Sequence, residues 1–249
     1  MSQKPAPKRS SSVRAAKRPM KNFYALLAVI AIVGLAAIAY AATRPKQAVT
    51  VVDPTKLPAA AGHLLGRADA PVQVLEFADF ECPQCGVFGT VTEPDVRERL
   101  VNSGQISYRF FDFPLDMHKN TLFAHNAAAC ADEQGKFWEM HDRLFASQDQ
   151  WNGEATSRPK DLFVGYAKAI GLDAAKFESC YDAQKYAPQI EANKQEAIRR
   201  AVNSTPTFVI GKRMIPGNLP YDVFKAYVDS AAAEAKVAAP AGPPSAAKS

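Results

Sequence analysis

The chain has 249 residues, and its 30 Lys/Arg against 25 Asp/Glu give a net charge of +5 that is unevenly placed: residues 1–46 hold nine basic side chains and no acid. The remainder carries 21 basic and 25 acidic side chains, so the basic face of a nucleic-acid-binding domain is excluded and no nucleic acid is expected as a partner. With the polar termini set aside, the length suits one domain with a sizeable core.

Residues 1–22 carry seven basic groups (Lys4, Lys8, Arg9, Arg14, Lys17, Arg18, Lys21) in a loose Ser/Pro/Ala setting that builds no core, and they read as a cytoplasmic tail. Phe23 to Ala42 runs for twenty residues without a charge. At about 1.5 Å per residue it crosses a hydrocarbon layer of about 30 Å. Positive-inside reasoning keeps the N-terminus in the cytoplasm and sends the chain after Arg44 across the membrane. A cleaved signal peptide, leaving a soluble periplasmic protein, is the competing reading, since Ala39-Tyr40-Ala41 resembles a cleavage site. The apolar stretch exceeds a signal core of about 7 to 15 residues, which favours an uncleaved anchor. Either way the rest of the chain works where disulfides persist.

Residues 43–61, with Pro54 and Pro58, read as a linker holding a domain off the membrane. The domain is expected over residues 62–237, with Ala238 to Ser249 as a disordered Pro/Ala tail. Val72 to Phe77 is an apolar run expected as a buried strand, and Cys82 to Asn102 as helix with Pro94 a kink or break. Gln105 to Phe113 gives a second strand. His118 to Gly171 shows helical stripes, with Ala124, Ala127, Ala128 and Ala131 allowing close packing, and 173–203 is helical with a break near Pro188. Thr207 to Ile210 and Met214 to Ile215 form a hairpin around Gly211-Lys212, and Tyr221 to Ala235 closes the chain as a helix.

The chemistry centres on Cys82-Pro83-Gln84-Cys85, at the point where strand gives way to helix. This spacing sets two sulfurs within one helical turn, and the first meets the unpaired N–H groups and positive dipole end that favour a thiolate, making Cys82 the expected nucleophile. Zinc is disfavoured because Cys130 and Cys180 stand fifty residues apart and His63, His118, His125 and His141 complete no finger-like spacing; no metal is expected. A purely structural bridge is disfavoured because so short a loop restricts the unfolded chain little.

Four motifs carry a resemblance that spans roughly residues 62–235. They are Glu76-Phe77-Ala78-Asp79-Phe80-Glu81 leading into the CPQC, Phe113-Pro114-Leu115 with His118-Lys119-Asn120, Gln134 to His141, and Ser204-Thr205-Pro206-Thr207-Phe208. In these the chain resembles the DsbA-like thiol-disulfide oxidoreductases of the thioredoxin superfamily, in their membrane-anchored bacterial form. The resemblance implies an α/β thioredoxin fold with an inserted helical domain at about 116–200, preceded by one N-terminal transmembrane helix.

It also implies roles. Cys82 carries the mixed disulfide and Cys85 closes or resolves it. Pro83 and Gln84 tune the thiolate; family oxidases often have His where Gln84 stands, and a neutral amide leaves the thiolate to the helix terminus, implying a milder oxidant. Glu81, next to the nucleophile, raises its pKa if the carboxylate lies close, and is screened if it lies at the surface. Pro206 matches the family's cis-proline, with Thr205 turned toward an extended substrate; a plain edge-strand proline is the alternative. Glu76 matches an acid beneath the cysteines that handles the buried thiol's proton, the alternative being a partly exposed strand acid. Some family members carry a second, non-catalytic pair in the helical domain. Pairing Cys130 with Cys180 leaves the CxxC intact and adds about 4 kcal/mol in the chain-entropy model, against two buried free thiols. His118 and His141 read as capping or packing residues, and Phe80, Phe88, Trp138 and Trp151 as core or groove lining.

The expected function is insertion of disulfides into unfolded exported proteins by dithiol-disulfide exchange, as a monomer, with no bound cofactor and with reoxidation by a membrane quinone reductase of the DsbB or vitamin K epoxide reductase type. The alternatives are a disulfide reductase or isomerase, and a non-catalytic peptide-binding or chaperone module that uses only the groove near Pro206.

Overall fold

Strand, crossover helix and strand set the centre of the fold, as seen in a computed structural model that describes residues 20–43, 48–50 and 52–238. Most of the expected basic tail and the expected tail from 239 onward lie outside the described residues. The chain divides into two units, residues 1–46 and 47–249. In the first, α1 (Met20–Thr43) is a single helix. Its window Phe23–Tyr40 has a mean hydropathy of 2.4 and is entirely exposed, long and apolar enough to cross a membrane.

In the second unit, among the described residues, five strands form one sheet in the order β1-β3-β2-β4-β5. These are β1 (His63–Leu65), β2 (Val72–Ala78), β3 (Ile106–Asp112), β4 (Thr207–Ile210) and β5 (Arg213–Pro216). β2 lies parallel to β3 and antiparallel to β4, and of its seven residues only Gln73 is exposed, as expected of a central strand covered on both faces. β1 follows no alternating pattern in the sequence; pairing with β3 holds it, from His63 opposite Phe110 to Leu65 opposite Tyr108.

The crossover from β2 to β3 is a continuous helical run over 83–101, made of α2 (Pro83–Val87), a π turn, α3 (Glu93–Val96) and a second π turn. Pro94 has no N–H to give, and the ladder changes pitch around it: the Glu93 N–H reaches back five residues to the Phe88 carbonyl. The run therefore continues where a break was one option.

Between β3 and β4 come α4 (Thr121–Asp132), α5 (Phe137–Ala146), α6 (Gln148–Trp151), α7 (Lys160–Ala169), α8 (Ala174–Asp182) and α9 (Ala187–Arg199). The buried alanines of α4 bring it close to its neighbours, and a disulfide joins Cys130 of α4 to Cys180 of α8 with Cα atoms 5.8 Å apart. The break expected near Pro188 falls just before it. Gln184 takes a positive φ of 45°, and Pro188 sits in the first turn of α9, where a missing N–H costs no bond. The hairpin turns at Gly211, whose φ of +59° suits glycine, and α10 (Tyr221–Ala238) packs across the sheet.

Residues expected as a free linker are instead tied to the helical layer where they are described. Thr50 N–H donates to Gln184 Oε1 (2.8 Å), Gln189 to the Ala59 carbonyl (3.1 Å), and Asn193 both accepts from Ala61 N–H (2.9 Å) and donates to its carbonyl (3.1 Å). Small and proline residues lack the bulk to pack, but their backbone groups still need partners, and the amides of α9 and of the α8–α9 turn supply them.

Candidate active site

Cys82 is the N-cap of α2, with extended backbone (φ −72°, ψ 123°), and Pro83 takes the first helical position, where its fixed φ suits the helix and its missing N–H costs nothing. The approach is held by Asp79, a fully buried carboxylate. Its Oδ1 accepts from Glu81 N–H (2.7 Å) and Thr121 Oγ1 (2.5 Å), and its Oδ2 from Leu115 N–H and His118 Nδ1 (both 2.7 Å). Burial opposes ionisation here, yet these donors and the His125 charge hold the Asp79 pKa below the ordinary value. From the other side Gln148 Nε2 donates to the carbonyls of Phe80 (2.6 Å) and Cys82 (2.9 Å). A Cβ on Gly86 would meet Gln148 Oε1 at 2.6 Å, so any larger residue would have to displace the Gln148 amide from the two carbonyls it holds.

The two sulfurs have opposite environments. Cys82 is 7% exposed and its thiol lies 3.4 Å from the Thr205 carbonyl, to which it donates. Hydrogen bonding from the Cys85 thiol, then from the Thr205 side chain and the backbone N–H groups of Cys85 and Gln84, outweighs burial and brings the Cys82 pKa down to about 6. Cys85 is fully buried, and burial, the Cys82 thiolate and the Glu76 carboxylate push its pKa well up. The Thr205–Pro206 bond is cis.

Glu76 lies on β2 with 1% exposure, and alternation turns it to the same face as Val74, toward the helical run. Burial, then the charge of Glu93, drives its pKa well above the ordinary value, opposed by the Tyr108 hydroxyl, which donates to Oε2 at 2.6 Å. Glu81 is neither at the surface nor free: it is 8% exposed and accepts from the backbone N–H groups of Asn120 and Gly153, both at 2.6 Å.

Cys82, Cys85, Glu76, Thr205 and Pro206 thus fall in one neighbourhood. Pro83 and Gln84 are exposed on its rim, and Cys130–Cys180 belongs to the helical layer. Three further residues support the site: Asp79 and His118, which stand inside the quoted motifs without a role in the chemistry there, and Gln148, which stands outside them. Asp79 carries a local signal, an acid three residues before a helix-capping cysteine. His118 is linked to the site only through the tertiary fold: its bond to Asp79 raises its pKa against burial, with the Glu81 and Cys82 charges adding. It is a basic group within electrostatic reach of a thiolate whose own motif has none.

A five-stranded sheet with a paired cysteine motif opening the crossover helix defines a thiol-disulfide oxidoreductase of thioredoxin type. The thioredoxin family model matches residues 59–230, and the chain belongs to that family, in its DsbA-like branch. Disulfide bond formation protein D of Bacillus subtilis is 25% identical over 168 residues, covering 67% of this chain and 75% of that protein. The crystal structure of Wolbachia pipientis alpha-DsbA1 superposes with a TM-score of 0.64 at 26% identity, covering 74% of this chain and 96% of that one. Oxidised BdbD from B. subtilis superposes at 0.62 with 24% identity, over 71% and 98%. The Na(+)/H(+) antiporter NhaA 3 of Salinispora tropica is 39% identical over 176 residues, 70% of this chain but 25% of the antiporter. The chain therefore spans about a quarter of the length of these antiporter relatives.

Proposed function

We propose that this protein is an extracytoplasmic, membrane-tethered oxidant that passes the Cys82–Cys85 disulfide to exported proteins. The observation that carries this reading is the opposed placement of the two thiols, Cys82 capping the N-terminus of α2 against the Thr205 carbonyl and Cys85 fully buried one turn on, which lowers the pKa of the first and raises that of the second. A client thiolate attacks Cys82 Sγ, the bond to Cys85 breaks, and Cys85 leaves as a thiolate that takes a proton from Glu76. The second client thiol then attacks the client sulfur of the mixed disulfide, and Cys82 departs as a stabilised thiolate. The client loses two electrons and the CPQC pair gains them. A membrane quinone reductase of the DsbB or vitamin K epoxide reductase type restores the disulfide, and the apolar helix Phe23–Tyr40 keeps the domain beside it.

Client binding falls to the groove where Thr205 and cis-Pro206 meet Cys82. Val87 and Val91, 43% and 68% exposed and one turn apart, offer an apolar contact to unfolded chain. Gln84 and the neutral hydrogen bonds on Cys82 fit an oxidant milder than those with a motif histidine, with His118 supplying part of the missing charge.

The test is the reduction potential of the pair in the full chain in detergent, equilibrated against glutathione, with a Cys130→Ala/Cys180→Ala sample in parallel. A value near about −120 mV supports disulfide donation, and one near −270 mV makes the protein a reductase of its clients. Client binding and activity that survive Cys82→Ala would instead identify a binding module.

A further inference from the structure

The buried acid Glu76 must exchange protons with water once per turnover, yet it lies at 1% exposure under the cysteines. The charge of Glu93 acts on it, and Glu93 belongs to a buried polar cluster that the chemistry so far does not use. Glu93, fully buried on α3, receives Arg97 Nε (2.9 Å) and Nη2 (2.7 Å) on Oε1. Its Oε2 has no hydrogen-bond partner, and 3.5 Å away is His141 Nε2, equally buried and equally without one. One proton shared between these two atoms makes the contact an attraction in a site that offers neither another partner. The other ring nitrogen, His141 Nδ1, lies 2.9 Å from Asp142 Oδ1 and 3.1 Å from Arg97 Nη2, and the Asp142 side chain is 55% exposed.

We infer that Glu93 and His141 form a proton relay between Glu76 and solvent, the ring taking a proton from the buried carboxyl at Nε2 and releasing it at Nδ1 toward Asp142. The inference rests on the reading of Cys82 and Cys85 as the redox pair. An imidazole suits the task because its two nitrogens exchange donor and acceptor roles. The ring is walled by Phe80, Phe110, Phe137, Trp138 and Phe145, with centroids 4.8 to 6.1 Å away, so its polar neighbours mark the way out. On the inner side, Glu93 is the strongest charge acting on Glu76, and Glu76 in turn acts on the Cys85 thiol. The charged and polar groups acting on Glu93 are Arg97 from its own helical run, Glu76 on β2, Tyr108 on β3 and His141 on α5, with Asp142 of α5 bound in turn to Arg97 and His141.

The balance is that of one half-reaction. When the reduced pair is reoxidised by a disulfide, Cys85 gives its proton to Glu76 as its sulfur attacks Cys82 of the mixed disulfide, and the oxidant's thiolate leaves with the electron pair. Burial keeps Glu76 protonated at rest, so its proton must leave through Glu93 and His141 to Asp142 and water as the Cys85 proton arrives, which ties the rate of resolution to the relay. During client oxidation the same path runs inward and refills Glu76. Glu93 and His141 are positioning residues in this scheme, acting through Glu76 and never on the sulfurs.

The test uses the full chain in detergent, reduced at Cys82 and Cys85 and mixed with glutathione disulfide as oxidant. Stopped-flow kinetics separate attack by Cys82, which forms the mixed disulfide, from resolution by Cys85. In Glu93→Gln and His141→Gln, the first step and the 240 nm titration of the Cys82 thiolate should stay within about twofold of the native protein. Resolution should slow by about tenfold or more and lose its solvent deuterium effect, the scale on which single acid-base groups act. Where a variant does not fold, the native protein decides: the ring 15N signals of His141 should report a change of protonation on reducing Cys82–Cys85, and that change should vanish in Glu76→Gln. Native pH profiles for resolution in both variants, or a His141 ring indifferent to redox state, overturns the relay alone. Failure of the native protein to exchange with glutathione disulfide overturns the redox reading itself.

Discussion

Lowering the pKa of Cys82 makes the stability of the reduced domain depend on pH, and the size of the effect follows from the site. The thiol moves from an ordinary 9.0 to about 6 on folding. A depressed pKa adds stability that is complete above the unfolded value and is lost as pH falls through the folded one. For a shift of this size the full contribution is about 4 kcal/mol above pH 9, about 2.7 kcal/mol at pH 8, about 1.4 kcal/mol at pH 7 and close to zero at pH 5. The oxidised domain has no such thiolate. The difference in unfolding free energy, reduced minus oxidised, should therefore rise by about 2.6 kcal/mol between pH 5 and pH 8. Glu76 is buried in both oxidation states and cancels to first order, and Cys85 stays protonated below pH 8 whether the chain is folded or not. The same linkage at pH 7 makes the pair more oxidising by roughly 30 mV. Urea unfolding of the two forms from pH 5 to pH 8, under reduction mild enough to spare Cys130–Cys180, measures the slope, and absorbance at 240 nm locates the midpoint. A flat difference, or a midpoint at pH 8 or above, refutes the assignment of Cys82 as the stabilised thiolate.

Glu76→Gln keeps an acceptor for the Tyr108 hydroxyl while removing a carboxyl whose pKa burial has raised. A raised acid contributes stability below its unfolded value and loses it as pH rises, so the variant should be more stable than the native protein by about 1 kcal/mol or more at pH 8, with no gain at pH 4, by urea unfolding. Its Cys85 resolution step should also slow. Cys130→Ala/Cys180→Ala opens a fifty-residue loop and should cost up to about 4 kcal/mol in thermal or urea unfolding, leaving the 240 nm titration of Cys82 in place. Asp79→Ala leaves four donors unmatched, of which Glu81 N–H and Thr121 Oγ1 are buried and Leu115 N–H and His118 Nδ1 half-buried, and should destabilise the domain by about 3 kcal/mol or more. A loss below 1 kcal/mol would mean that water replaces the carboxylate.

The parts of the site legible in the sequence are those written within a few residues of one another. The CPQC spacing, the strand before it and the helix after it are local patterns, and so is Thr205-Pro206 beside a short apolar run. Glu76 is legible because Val74, Leu75 and Phe77 around it already demand burial. Asp79 and Gln148 converge on the CPQC turn from segments nearly seventy residues apart, and His118 reaches Cys82 only as a charge beyond Asp79, so no periodicity announces them. His141 reads correctly as packed among aromatics, but its meeting with Glu93 depends on where α5 crosses the helical run. The segment before β1 misleads for a related reason: Pro and Ala mark it as spacer, whereas its hydrogen bonds are made by its backbone and depend on side chains of α9.

If the domain handles unfolded chains, as the proposed function has it, the outer edges of the sheet bear on a specific hazard. An unpaired strand edge is a template on which a client could add strands and seed aggregation. Here the edge strands are only three residues (His63–Leu65) and four residues (Arg213–Pro216) long. β5 is further blunted by a charge at Arg213 and by Pro216, which has no N–H to offer. A client strand arriving at either margin finds too little ladder to propagate. On the proposed function, productive pairing is thereby left to Thr205, beside Cys82.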